Sequence, residues 1–355
     1  MPSSVPCEPE TCTLYNSLRP TRYDPGHTMD KPAIVIVTYK RQDLLAGLLA
    51  SLELSTIAPW RVVVVDNENS AQTADLMQAF SARADELWGR TEPDAEGGTH
   101  RAVYVPMTEN TGGSGGFSMG VKRAFELGAQ WFWVMDDDVA IEPEGLERLD
   151  RWTAQADVIQ GCRYDFDGGP FYWQYHFWEG LGIYNPLAKS TFEDGQPKPM
   201  NVMCFEGALF SRKVVETCGL PDPRFFIYWD DAVYGYVASR HVRTILVPDF
   251  VLRRCREVKN VSVGSVRQLN STSDMTRYYI LRNRGYIARY LREYGDYNRF
   301  AFGLGTAATF AKELIRIAAV DRGSLVSGTK RLIAGWKDAR KIYRDPTWKP
   351  MEPLA

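Results

Sequence analysis

Ala33-Ile-Val-Ile-Val-Thr38 is an unbroken run of small and β-branched apolar residues, the composition of a strand covered on both faces. Working outward, Leu44, Leu45, Leu48, Leu49 and Leu52 follow at helical spacing, and Arg61-Val-Val-Val-Val-Asp66 repeats the buried-strand pattern. The same reading predicts a helix over residues 71–87, a strand over 101–106, a glycine loop, a helix over 117–128 and a strand over 131–135. Such alternation implies an α/β fold, a mostly parallel sheet flanked by helices. In open sheets of this kind ligands bind beyond the carboxyl ends of the strands. Asp66 and Asn67, Asn110 to Gly116, and Asp136-Asp137-Asp138 each stand just after one of these strands.

The 355 residues are 45% hydrophobic and 24% charged, which excludes a disordered, collagen-like or disulfide-scaffold chain. With 42 basic and 44 acidic residues the formal charge is -2, so nothing in the overall charge recommends nucleic acid as partner. Residues 1–31 contain five prolines and little periodicity and read as an irregular arm ahead of one large domain over 32–275. From 276 to 355 the chain turns helical, with cationic and apolar residues interleaved; this composition suits either an anionic membrane surface or a second subunit. Six scattered cysteines and the lack of a secretion signal predict free thiols in a reducing cytosol. Cys7 and Cys12 begin a zinc pattern that nothing completes. No apolar stretch approaches the ~20 residues needed to cross a bilayer.

Three constellations carry chemistry. Trp131-Phe-Trp-Val-Met-Asp-Asp-Asp-Val139 runs an apolar strand into three carboxylates, and Asp136 and Asp138 share one side of an extended chain, the spacing for gripping a divalent ion with a diphosphate. Asn110-Thr-Gly-Gly-Ser-Gly-Gly-Phe117 is a flexible loop at a helix start, suited to close backbone approach to an anion. It follows the third strand, whereas a dinucleotide fingerprint follows the first, and this weakens a hydride-transfer reading. Phe225-Phe-Ile-Tyr-Trp-Asp-Asp-Ala-Val-Tyr-Gly-Tyr236 joins an aromatic platform to Asp230 and Asp231, either of which has the chemistry of a general base. Residues 171–178, rich in aromatic rings, are a candidate acceptor surface.

In their order along the chain, Thr38-Tyr39-Lys40-Arg41, Val65-Asp66-Asn67, the glycine segment, the aspartate triplet and Trp229-Asp230-Asp231 resemble family 2 inverting glycosyltransferases. The segments around them, with Arg282-Asn283-Arg284, are similar to actinobacterial cell-wall galactofuranosyltransferases, over roughly residues 32–290. The resemblance implies a GT-A nucleotide-sugar-binding fold with a C-terminal helical appendage, a UDP-galactofuranose donor, and a polyprenyl-linked glycan acceptor. It also implies Mn2+ or Mg2+ and a cytoplasmic or peripheral inner-membrane location. By position it assigns Thr38, Arg41, Asp66, Asn110, Gly112, Gly113, Asp136, Asp137 and Trp229 to the donor, and Asp136 and Asp138 to the metal. Asp231 would be the base, with Asp230 beside it. A histidine that relatives use for metal is absent, since Phe250-Val-Leu-Arg-Arg-Cys255 stands there; Arg253 or Arg254 would then meet the diphosphate directly. His241 lies too early and reads as structural. Two rival readings are a rhamnosyltransferase using dTDP-rhamnose and a nucleotide-sugar-binding protein whose catalysis has lapsed.

Overall fold

The computed structural model describes residues 29–171, 175–185, 192, 194–257, 260–263 and 267–354. Most of the expected N-terminal arm, Cys7, Cys12 and the centre of the 171–178 run therefore lie outside the described residues. Four parallel strands, β1 (Pro32–Thr38), β2 (Arg61–Asp66), β3 (Ala102–Pro106) and β4 (Trp131–Asp136), lie in the order β3-β2-β1-β4. The sheet continues through β5 (Val158–Tyr164), β6 (Ala208–Ser211) and β7 (Thr244–Arg254), with β6 antiparallel between β4 and β5 and β7 parallel to β5. The fold is thus α/β around a mostly parallel sheet.

Alternation along the strands explains the packing. Val35, Val37, Val63, Val65, Phe132 and Val134 enter one core with Phe117 and Val121 of α3 (Gly112–Leu127), after α1 (Gln42–Leu52) and α2 (Ala71–Trp88) have covered the other face. On that other face Ile34, Ile36, Val62, Val64, Trp133 and Met135 meet Leu45, Leu48, Met77 and Phe80. Each enclosed aliphatic side chain contributes about 1.5–3 kcal/mol, so both faces must stay covered and the strands read as continuous apolar runs.

Register sets the site. Thr38 pairs with Asp66, and Val37 with Asp136, so the polar ends of β1, β2 and β4 fall in one row. The strand order reverses between β1 and β4, the place where α/β sheets open a ligand crevice.

After α4 (Asp230–Ser239), β7 leads to α5 (Asp274–Arg282), α6 (Arg284–Glu293), α7 (Arg299–Ala319) and α8 (Leu325–Arg344). Tyr286, Ile287, Tyr290, Leu291 and Phe302 from α6 and α7 belong to the same core as Val35 and Phe132. The tail returns as well, with the Trp348 ring edge-on to Tyr290 at 5.1 Å. No helix among the described residues is long and apolar enough to cross a membrane.

Candidate active site

A cleft of about 1050 Å³ opens at the row of strand ends. Thr38, Arg41, Asn110, Gly112, Gly113, Asp136, Asp138, Trp229, Asp230 and Asp231 all line it. Two of the expected donor residues do not. Asp66 is enclosed, its carboxylate accepting from the amides of Glu68 and Ser70 at 2.9 and 2.8 Å and from the Tyr104 hydroxyl at 2.9 Å. It closes the turn after β2. Asp137, in the turn that follows β4, is fully buried and does not line the cleft. Thr38 Oγ1 donates to it at 2.7 Å, and Arg41 Nε lies 3.0 Å from its other oxygen. Arg41 reaches Asp138 too, at 3.0 Å, so Asp137 fixes the guanidinium that faces the crevice.

The glycine segment is not a loop. Helix α3 begins at Gly112, five residues earlier than the apolar spacing indicates. Glycine's poor propensity hides the helix, and close packing makes it form. A Cβ on Gly116 would collide with Val37, and one on Gly120 with Val35 and Val65. Gly112 has φ +71°, and a Cβ there would strike the carbonyl of Phe226. At Gly113 nothing lies within 4 Å of such an atom. Asn67 staples the segment down: its Nδ2 donates to the Gly112 carbonyl at 3.1 Å, and its Oδ1 accepts from the Thr111 amide at 3.2 Å. The Asn110 side chain accepts from the Gly112 amide at 2.9 Å.

The aspartate pair hangs on a strained turn. Phe226, Tyr228 and Trp229 have φ of 65°, 72° and 73°, left-handed values that cost bulky residues free energy and persist only where the surroundings enforce them. Asn283 enforces them here, its Nδ2 lying 3.0, 2.8 and 2.9 Å from the carbonyl oxygens of Phe225, Ile227 and Tyr228. Arg284, buried beside it, donates to the carbonyls of Leu181 and Gly182 at 2.8 Å each and to Thr306 at 2.7 Å, tying α6 to α7. Trp229 stacks on Tyr184 with centroids 5.4 Å apart and planes 21° apart, and its indole N–H donates to Ile280. Helix α4 then starts, presenting Asp230 and Asp231 in its first turn.

Burial raises the carboxyls of both; the charge of Asp230 adds to the rise at Asp231, which is pushed up to about 7, and that of Asp222 adds to the rise at Asp230. The Ala232 amide, 2.7 Å from Asp231 Oδ1, opposes the shift. Asp136 is held well above the usual carboxylate range by burial and by the charges of Asp138 and Glu206. Such a carboxylate favours an added cation. Asp136 and Asp138 fit a divalent ion that arrives with a diphosphate, since magnesium-like ions take one or two carboxylates plus phosphate oxygens. Among the described residues no group of three His, Cys, Asp or Glu side chains is arranged to enclose a metal.

The expectation for Arg253 and Arg254 needs correction. Both remain in β7, Arg253 at 3.6 Å from Glu142 and Arg254 at 3.0 Å from Glu206, and neither lines the cleft. Arg256, just past the strand, does. His241 pairs with Tyr294 at 3.1 Å, beyond the end of α4 and away from the cleft. Phe177, from the aromatic run, is a core ring behind Trp229, and Phe171 lies under Arg163 and Arg254.

The family model for glycosyl transferase family 2 matches residues 33–219, more than half of the chain and the whole first row of strand ends. The chain belongs to glycosyl transferase family 2. Galactofuranosyltransferase GlfT1 of Mycolicibacterium smegmatis is 27% identical to this transferase over 274 residues, 71% of this chain and 81% of that one. The protein of the same name from Mycobacterium tuberculosis is 26% identical over 266 residues, 71% and 80% of the two chains. Among solved structures, a Pyrobaculum calidifontis mannosyltransferase with GDP-Man and Mn2+ is 12% identical, covering 94% of this chain and 90% of that one at a TM-score of 0.49. The transferase is a glycosyltransferase. Tyr184, Glu206, Arg256, Asn283, Glu313 and Arg316 were not marked as site residues by the sequence, because the signals that place them are long-range contacts.

Proposed function

We propose that the protein transfers galactofuranose from UDP-galactofuranose to a hydroxyl of a polyprenyl-diphosphate-linked cell-wall glycan, with inversion at the anomeric carbon. One observation carries this reading: Asp231, with a carboxyl pushed up to about 7, shares a cleft with Thr38, Arg41, Asn110, Asp136 and Asp138. The likeness to galactofuranosyltransferases supports the choice of sugar.

Thr38, Arg41, Asn110 and the open face at Gly113 bind the nucleotide, and Trp229 offers its ring to a sugar. Asp136 and Asp138 would hold Mn2+ or Mg2+, which when bound supplies positive charge to the departing diphosphate. Asp231 takes the proton of the acceptor hydroxyl; its oxygen forms the new bond to the anomeric carbon as the bond to UDP breaks. A carboxylate with a pKa near 7 is a stronger base than an ordinary aspartate and is about half ionised at neutral pH. Arg41, held by Asp137, and Arg256 face the charge that leaves.

The acceptor's lipid would lie at the cytoplasmic face of the membrane, where the protein docks peripherally. Phe300, Leu304 and Val326 are exposed on α7 and α8 among arginines and lysines, a pattern that suits an anionic surface. The test is turnover of UDP-galactofuranose and dTDP-rhamnose with octyl glycoside acceptors, with the product's anomeric configuration read by NMR. Inverted galactofuranosyl product, lost in Asp231→Asn with UDP binding kept, is expected. Rhamnosyl product, or turnover retained in that variant, overturns the assignment.

A further inference from the structure

The cleft has a second wall, supplied by α5 and α7 through Met275, Ile280, Thr309, Glu313 and Arg316. Glu313 and Arg316, one helical turn apart, are 1% and 6% exposed. Both carboxylate oxygens of Glu313 accept from Arg316 Nη1, at 2.9 and 3.0 Å. Arg316 Nε is buried with no hydrogen-bond partner. A buried donor left unmade is costly and marks a place where a ligand or water belongs. Tyr228, on the strained turn beside Asp231, feels the charges of Arg316, Glu313 and Asp231 together. Tyr228 as a whole residue is 40% exposed.

We propose that Glu313 and Arg316, with Tyr228, form the subsite that recognises a hydroxylated sugar ring of the acceptor and turns its reactive hydroxyl toward Asp231. This rests on the glycosyl-transfer reading above. The pair is neutral as a unit, and an anion would have to displace Glu313 from a doubly held guanidinium. A sugar diol displaces nothing. One hydroxyl donates to a remaining carboxylate lone pair, the other accepts from the guanidinium edge, and the Tyr228 ring covers a C–H face of the sugar.

Three variants of the full chain test this: Arg316→Lys, Glu313→Gln, and the double change Glu313→Leu with Arg316→Met. The last replaces a buried ion pair by apolar groups of similar volume and avoids stranding a charge. With UDP-galactofuranose as donor and octyl rhamnoside and octyl galactofuranoside as acceptors, acceptor KM rises tenfold or more in each variant. Donor KM, slow donor hydrolysis by water and the stabilisation by UDP stay at wild-type values. An acceptor KM within twofold of wild type in the double variant overturns the proposal. So does a parallel loss of donor affinity and thermal stability, which marks the pair as a structural tie. A wild-type chain that neither binds UDP nor turns over the donor contradicts the functional reading itself, and it is seen before any variant is compared.

Discussion

Gly113 and Gly116 stand three residues apart in one helix turn and answer to different demands. A methyl at Gly113 meets open space inside the cleft, whereas one at Gly116 meets Val37 in the core. Gly113→Ala therefore leaves the melting temperature within a few degrees of wild type and weakens UDP binding, as titration calorimetry would report. Gly116→Ala instead lowers stability, by about 1–3 kcal/mol for overpacking, measured by urea unfolding. Asp231 gives the pH prediction. Its folded pKa, pushed up to about 7, lies above the roughly 3.9 of an unfolded aspartate. Ionising it therefore costs stability as pH rises through the folded value. Asp231→Asn should raise the melting temperature more at pH 8 than at pH 5, while transfer by the wild type climbs as pH passes through about 7. Which polar residues face the ligand was only partly legible at this scale. Asp66 and Asp136 look alike in sequence, each ending a buried strand, but the amides of Glu68 and Ser70 claim the first and leave the second to the cleft.

At the scale of elements, the β-branched runs of β1 and β2 and the leucine spacing of α1 announced themselves, because both faces of the sheet must be covered. The start of α3 did not. Its glycines carry a weak helical signal, and the sheet residues that require them lie far away in sequence. The run Phe250-Val-Leu-Arg-Arg-Cys255 misled for a related reason: the strand extends to Arg254, and only the next turn brings a cation, Arg256, to the cleft. The turn before α4 depends on Asn283, at the junction of α5 and α6. Asn283→Ala strands the carbonyl oxygens of Ile227 and Tyr228, while that of Phe225 keeps the Ile227 amide, and should cost about 2–3 kcal/mol. It should lower kcat tenfold or more with UDP affinity retained, because the glycine segment and the ends of β1 and β4 stay in place. Urea unfolding and steady-state kinetics together check this. An unchanged kcat would remove Asn283 from its role in aiming Asp231.

For the whole molecule, the sheet supplies one wall of the cleft and the C-terminal helices the other, over a core that both share. In the sequence those helices read as a cationic amphipathic appendage, since Glu313 and Arg316 look like an ordinary surface pair at helical spacing until α7 is folded over the cleft. The measurement that tests the central claim most directly is thermal unfolding with UDP, dTDP or NAD, each with and without manganese. A ligand at 100 times its dissociation constant adds about 2.7 kcal/mol. The account predicts a rise with UDP that grows with manganese, through Asp136 and Asp138, and none with NAD. No response to UDP under either condition would contradict it.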